Sequence, residues 1–299
     1  MKTKAFICII AAGVLWGTSG LFVNALAPYG FSSLQMSAWR AAVSVIVLAV
    51  YMLIRDISLF KIRLSEIPFI LGCGVGIFGT ATAYYVSMQA TTVSTAVVLM
   101  YTAPVLVMIF SVAFLGEKLT RLKAVSVLCM LIGCALVSGI IGGLKFDAFG
   151  IAMGFLAGIS YASYNIFSKL EMRRGNRPIT VTFYCFLVML IITFFACDIG
   201  ETVSLTLVAP APILPLTVGL GVLTSVMPYL MYTTSLKFIP VGTASALAII
   251  EPMSATLFGV FILGEGLSAP SLFGIVLILF AVFLLSRTED GKNTKENKK

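Results

Sequence analysis

The sequence predicts an all-α integral membrane protein: ten transmembrane helices arranged as two inverted five-helix repeats. Three observations carry this. Of 299 residues, 60% are apolar and 11% charged, with a mean hydropathy of +1.07. A soluble domain has roughly 45–50% and about 25%, and no soluble core can absorb the excess. Apolar runs recur at the roughly 20 residues a helix needs to cross about 30 Å of hydrocarbon. The second half of the sequence also repeats the first. The same numbers exclude disorder, collagen-like repeats and disulfide miniproteins, and runs this long exclude a β-barrel.

The runs fall at 6–27, 34–54, 67–88, 94–115, 122–141, 149–168, 179–197, 213–236, 242–263 and 270–286. The first follows Lys2 and Lys4 and ends Ala25-Leu26-Ala27, like a signal peptide. Its length, its polar content (Trp16, Thr18, Ser19, Asn24) and an internal counterpart at 149–168 favour a retained helix. The second contains Trp39-Arg40. The third is crowded with Gly72, Gly74, Gly76 and Gly79, without a phosphate-loop pattern. The fourth centres on Pro104, and the fifth opens after Thr120, a suitable N-cap. The sixth presents Tyr161, Tyr164, Asn165 and Ser168 at helical spacing. The seventh has no formal charge, the eighth contains Pro228, the ninth Glu251-Pro252, and the tenth follows Ser268. Residues 287–299, rich in Lys, Asn and Glu, read as a disordered tail. No connecting piece is long enough for a soluble domain, so any activity resides inside the bundle.

Basic residues set the orientation. With the N-terminus in the cytoplasm, 18 of the 20 Lys and Arg fall on that side, Lys145 on the other and Arg40 within a span. Both termini are therefore expected in the cytoplasm of a multi-pass plasma-membrane protein. The net charge of +8 then reflects topology and anionic headgroups rather than a nucleic-acid partner.

Shifting the sequence by 148 residues aligns 81–119 with 229–267 without a gap, with 13 of 39 positions identical, where roughly three are expected by chance. Tyr84 meets Tyr232, Thr95 meets Thr243, Pro104 meets Pro252, and Leu115-Gly116-Glu117-x-Leu119 recurs as Leu263-Gly264-Glu265-x-Leu267. Five spans separate the copies. An odd number turns the second copy upside down, which is the architecture of secondary transporters. The division is 1–141 for the first repeat and 142–286 for the second.

These residues resemble the EamA-type branch of the drug/metabolite transporter superfamily. Ala11-Ala12-Gly13-Val14-Leu15-Trp16-Gly17 is similar to the family's opening, Trp39-Arg40 to its second helix, and Glu251-Pro252 to the Glu-Pro of its ninth. The central prolines followed by Leu-Gly-Glu match the end of each half. The resemblance implies a ten-helix carrier moving small metabolites, often amino acids or related compounds, commonly outward.

Each of Pro104 and Pro252 lies about 15 Å into its run. Proline frees the carbonyl four residues back, here Met100 and Ala248, and for Pro228 that of Thr224. Such carbonyls are expected to face protein or a wet cavity. Glu251 and Arg40 are the charges well inside spans. Charged groups there face the interior or an aqueous path, so Glu251 is the candidate for proton coupling, its bland alternative being a structural carboxylate. Arg40 is shallower, and snorkelling or stapling two helices competes with substrate contact. Trp16, Ser19, Asn24, Tyr84, Tyr101, Thr102, Tyr161, Tyr164, Asn165 and Tyr232 are the remaining candidates for an amphipathic solute, against ordinary interhelical packing. Gly116 and Gly264 suit left-handed helix ends, which makes Glu117 and Glu265 structural.

Histidine is absent, which removes a His metal site, a Ser-His-Asp arrangement and a histidine proton relay. No Walker motif and no intramembrane aspartate occur. The six cysteines lie in apolar runs and read as small hydrophobes. No catalytic residue, metal or cofactor is expected. The partners are the bilayer, a small solute and protons, with oligomeric state open. Two rivals to a carrier stay in view: a membrane-embedded lipid-modifying enzyme and a non-transporting membrane partner.

Overall fold

The computed structural model describes residues 2–139, 147–264 and 266–296, and among them the chain is helical without a strand. Helices α1 (Lys2–Gly17) and α2 (Ser19–Leu26) form one stretch broken at Thr18, followed by α3 (Ser33–Arg55) and α4 (Ile67–Ala90). Next come α5 (Val93–Met100) with α6 (Ala103–Leu115), then α7 (Arg121–Val137), α8 (Ala148–Arg173), α9 (Pro178–Ala196) and a short α10 (Ile199–Val208). Helices α11 (Pro210–Gly221) and α12 (Met227–Ser235) are joined by a π turn at Val222–Val226; α13 (Val241–Leu247), α14 (Ile250–Leu263) and α15 (Ala269–Glu296) complete the chain.

Eight of these stretches are long and apolar enough to cross a membrane. The other two expected spans are occupied by α7, of 17 residues, and α8, of 26. Residues 140–141, Lys145 and Glu265 lie outside the described residues. One feature differs from expectation. The connection after α9 contains α10, started by Asp198, whose carboxylate accepts from the Glu201 N–H at 2.9 Å. Helix α15 is drawn as far as Glu296, and 297–299 lie outside the described residues.

Lipid is as apolar as leucine, so association of these helices depends on close packing by small residues. Glycines supply it. A Cβ on Gly133 would stand 2.9 Å from the Gly274 carbonyl oxygen, and one on Gly274 2.6 Å from that of Gly133, so α7 and α15 touch backbone to backbone. Gly154 and Gly158 press α8 onto Leu99, and Gly13 and Gly17 press α1 onto α14. One large core joins α1, α3–α9 and α12–α15, with smaller clusters around Leu26 and Ile213 at one end of α3 and around Met52 and Phe183 at the other.

The sequence repeat is also a repeat of local structure. After the 148-residue shift, the α5–α6 and α13–α14 breaks coincide within a residue. Each copy ends in a left-handed glycine, Gly116 at φ +66° and Gly264 at φ +72°. Thr120 and Ser268 then cap α7 and α15, accepting N–H bonds from Lys123 and Ser271, each at 3.2 Å. Glu117 is structural: it accepts from the backbone N–H groups of Val241 (2.9 Å) and Gly242 (3.4 Å) at the start of α13. Glu117→Ala is expected to cost about 1 kcal/mol, the usual value of a lost helix cap. A thermal melt in detergent reads this, and an unchanged midpoint would mean that the carboxylate does not hold α13.

Candidate functional site

Proline decides where the central helices break. Pro104 and Pro252 sit in the first turns of α6 and α14, where a missing N–H costs nothing. At Pro104 and Pro252 the helices therefore stop and restart rather than bend. The outcome for the freed carbonyls is mixed. Ala248 is taken by the Glu251 N–H at 2.9 Å, so it does not face a cavity. Met100 faces α8, its oxygen 3.3 Å from the position of a Cβ on Gly158. Thr224 is approached by Arg40.

Arg40 is a staple. Its Nε donates to Ser225 Oγ at 3.1 Å and its Nη2 to the Thr224 carbonyl at 3.4 Å, tying α3 to the π turn ahead of Pro228. It forms no ion pair with Glu251 among the described residues, but its charge is within electrostatic range of Glu251 and Tyr229. Arg40→Gln is expected to lower stability by about 2 kcal/mol, the scale of hydrogen bonds made by a charged group, in the same melt. A midpoint equal to wild type would return Arg40 to the bilayer surface.

Glu251 occupies the first turn of α14, where the positive end of the helix dipole favours a carboxylate. Tyr101, between α5 and α6, donates its hydroxyl to Glu251 Oε2 at 2.8 Å. The other oxygen, Oε1, accepts no hydrogen bond from the described residues. Tyr84, Tyr161, Tyr229 and the Cys134 thiol lie within electrostatic range of the same carboxylate. Glu251, Tyr84 and Tyr229 are enclosed by protein yet retain some accessible surface.

An aromatic wall adjoins the carboxylate. Trp16 meets Tyr229 edge-on at 5.2 Å between ring centroids and Tyr232 at 5.6 Å, and Tyr229 also packs on Tyr164 at 5.3 Å and Phe186 at 5.1 Å. Tyr232 donates to Asn165 Oδ1, and Asn165 Nδ2 donates to the Tyr161 carbonyl at 2.6 Å. Tyr164 shares a hydrogen bond with Thr233 at 3.2 Å. Trp16 Nε1 and the Tyr161 hydroxyl, on residues only 5% and 8% exposed, have no hydrogen-bond partner in the described protein. Buried donors normally have one, so these two are available to a bound molecule.

Three sequence candidates stay out of this cluster. Ser19 donates to the Trp16 carbonyl (2.6 Å) at the α1–α2 break, and Thr102 to the Leu99 carbonyl (2.7 Å) at the α5–α6 break. Short hydroxyls at a break satisfy the nearest carbonyl. Asn24 is exposed near the end of α2. Tyr229 was the omission: it lies three residues before Tyr232 on one helix face, and that spacing was the available signal. Lys169 lies away from the cluster and ties α8 to the connection after α12, its ammonium donating to the carbonyls of Leu236 and, at 2.8 Å, Ile239. Among the described residues no three His, Cys, Asp or Glu side chains gather as metal ligands. What the site offers is one carboxylate with an oxygen that no described residue engages, a cationic staple, phenols and rings.

The EamA-like transporter family profile matches residues 3–139 and again 148–287. An uncharacterized transporter of Archaeoglobus fulgidus is 30% identical over 291 residues, 93% of this chain and 95% of that protein. The uncharacterized transporter YwfM of Bacillus subtilis is 25% identical, covering 96% and 95% of the two chains. A solved crystal structure superposes with a TM-score of 0.78 over 95% of this chain and 96% of the other at 18% identity, which shows a shared fold. The doubled match falls on the two copies of the internal repeat, and the chain belongs to the EamA-like transporter family, as a multi-pass membrane transporter.

Proposed function

We propose that this protein is a secondary carrier that exports a small amino compound, an amino acid or a relative of one, by alternating access. In this reading α7 and α8 also cross the bilayer, giving ten spans in two inverted halves, 1–141 and 142–286. Both termini lie in the cytoplasm and the membrane is the plasma membrane. Two similar halves facing opposite ways can exchange conformations around a shared centre.

The observation that carries the reading is Glu251: deep in the bundle, one oxygen held by Tyr101, the other without a partner, and phenols around it. A protonated amine suits that oxygen, because charge-assisted hydrogen bonds are the strong ones. Nearby ring faces favour the same cation. Trp16 Nε1 and the Tyr161 hydroxyl supply donors for a carboxylate or carbonyl elsewhere on the solute. A proton and an ammonium group compete for one carboxylate, so loading the solute releases the proton and loading the proton releases the solute. That competition makes an exchanger. The lipid-modifying enzyme is less well supported, because the hydroxyls here have no activating base beyond Glu251.

Counterflow in proteoliposomes tests this. Vesicles loaded with a panel of unlabelled amino acids, simple amines and amine-free carboxylic acids are expected to accumulate a labelled amine-bearing member against its gradient, with a matching pH change in the lumen. Conversion of the solute without accumulation would point to the enzyme. Accumulation confined to solutes lacking an amine would overturn the assignment to Glu251.

A further inference from the structure

A second site lies on the outside of the bundle, where three helix ends meet. The end of α3, the start of α9 and the end of α12 enclose a groove of about 1010 Å³. Its cations sit together at one end: Arg55 closes α3, Arg177 precedes α9, and Lys237 follows α12. Its apolar lining runs the other way. Val47 is eight residues before Arg55 and Leu230 seven before Lys237, so the trough continues about 12 Å along the helices towards the middle of the bilayer. That is most of the depth of one hydrocarbon leaflet, about 15 Å.

The charges do not cancel within the groove. Arg177 is occupied by Asp56, whose carboxylate it meets at 3.0 Å. Asp56 is held ionised, pulled down to about 2 by hydrogen bonds from Ser58 and then by Arg177. Arg55 and Lys237 are exposed and have no ion pair or hydrogen bond from their side chains among the described residues. Two uncompensated cations thus stand at headgroup level over an apolar trough open to lipid. Exposed apolar surface between helices needs no explanation in a membrane, but paired free cations at its mouth select the sign of the headgroup.

We propose that this groove is a binding site for one anionic glycerophospholipid, its phosphate-bearing headgroup on Arg55 and Lys237 and an acyl chain along Val47 and Leu230. The site is separate from the Glu251 cluster, and it stands or falls independently of what the carrier moves. Two cations facing an anionic lipid correspond to about a thirtyfold preference over a zwitterionic one.

Native mass spectrometry of the full-length protein in detergent tests this, with phosphatidylglycerol and phosphatidylcholine of matched chains added in competition. The wild type is expected to retain one phosphatidylglycerol in strong preference. Arg55→Gln with Lys237→Gln should bring that preference down to parity, Arg55→Lys with Lys237→Arg should restore it, and Lys61→Gln with Arg63→Gln, removing two charges outside the groove, should leave it intact. Equal retention of both lipids by the wild type, or equal losses in the groove and control variants, overturns the proposal. Displacement of the lipid by inorganic phosphate at comparable concentration also overturns it, since the site would then be one for a free anion.

Discussion

Glu251→Gln is expected to cut exchange severely while leaving the fold intact. The amide keeps the shape and an acceptor for the Tyr101 hydroxyl, but it can neither bind a proton in the relevant range nor form a charge-assisted bond to an ammonium group. Such a bond contributes about 1.5–3 kcal/mol, so counterflow should fall by about tenfold to a hundredfold. Whatever transport survives should lose its pH dependence. Tyr101→Phe, which removes one neutral donor, should cost only severalfold. If the Gln variant transported at the wild-type rate with the wild-type pH profile, Glu251 would be a structural carboxylate and the exchange scheme would fail.

The largest structural effect is expected at Gly17. A Cβ there would stand 2.7 Å from Ser254 Cβ, 2.9 Å from the Ala255 nitrogen and 3.0 Å from the Glu251 carbonyl oxygen. Two of those neighbours are backbone and cannot rotate away, so α1 and α14 must separate beside the carboxylate. Overpacking of this kind costs about 1–3 kcal/mol for one methyl group, and Gly17→Val should prevent stable assembly. Gly20, three residues on, has nothing within 4 Å of the same position. Gly20→Ala should therefore be neutral or slightly stabilising. Equal midpoints for Gly17→Ala and Gly20→Ala would contradict the described contact. Gly158 is the other half's version: its Cβ would meet the Leu99 carbonyl and Thr102 Oγ1, each at 3.0 Å. Gly158 thus lies against the α5–α6 break, and Gly17 against the first two turns of α14.

Much of this was legible in the residues, and the limits have physical causes. Run length and spacing located the helices, because crossing lipid demands long apolar stretches whatever their neighbours. Gly116, Gly264, Thr120 and Ser268 were readable as helix ends because capping is local chemistry. Proline announced the breaks, but whether a break is a kink or a restart depends on the adjoining residues. The hydroxyls of Ser19 and Thr102 sit at helix breaks, where each satisfies the nearest carbonyl, a partner that a reading of polar residues along a run does not reveal. The partners of Arg40 and Glu117 are 185 and 124 residues distant, and no local pattern specifies contacts that far apart. The helical periodicity of Tyr161, Tyr164 and Asn165 gave the face of α8, while the ring contacts that join it to Tyr229, and Tyr229 to Trp16, bring together residues from other helices and emerge only in the assembled bundle.

The account rests on the two halves threading the bilayer in opposite senses around the Glu251 centre, and labelling of single cysteines addresses that most directly. In a cysteine-free background, Lys118→Cys and Gly266→Cys place thiols at two exposed positions, each just after a Leu-Gly-Glu run or within one residue of it. An impermeant maleimide added to intact cells should label the thiol at position 266 and spare that at 118, with both labelled once the membrane is permeabilised. Labelling of both thiols, or of neither, in intact cells would put the two ends on the same face and contradict the inverted architecture.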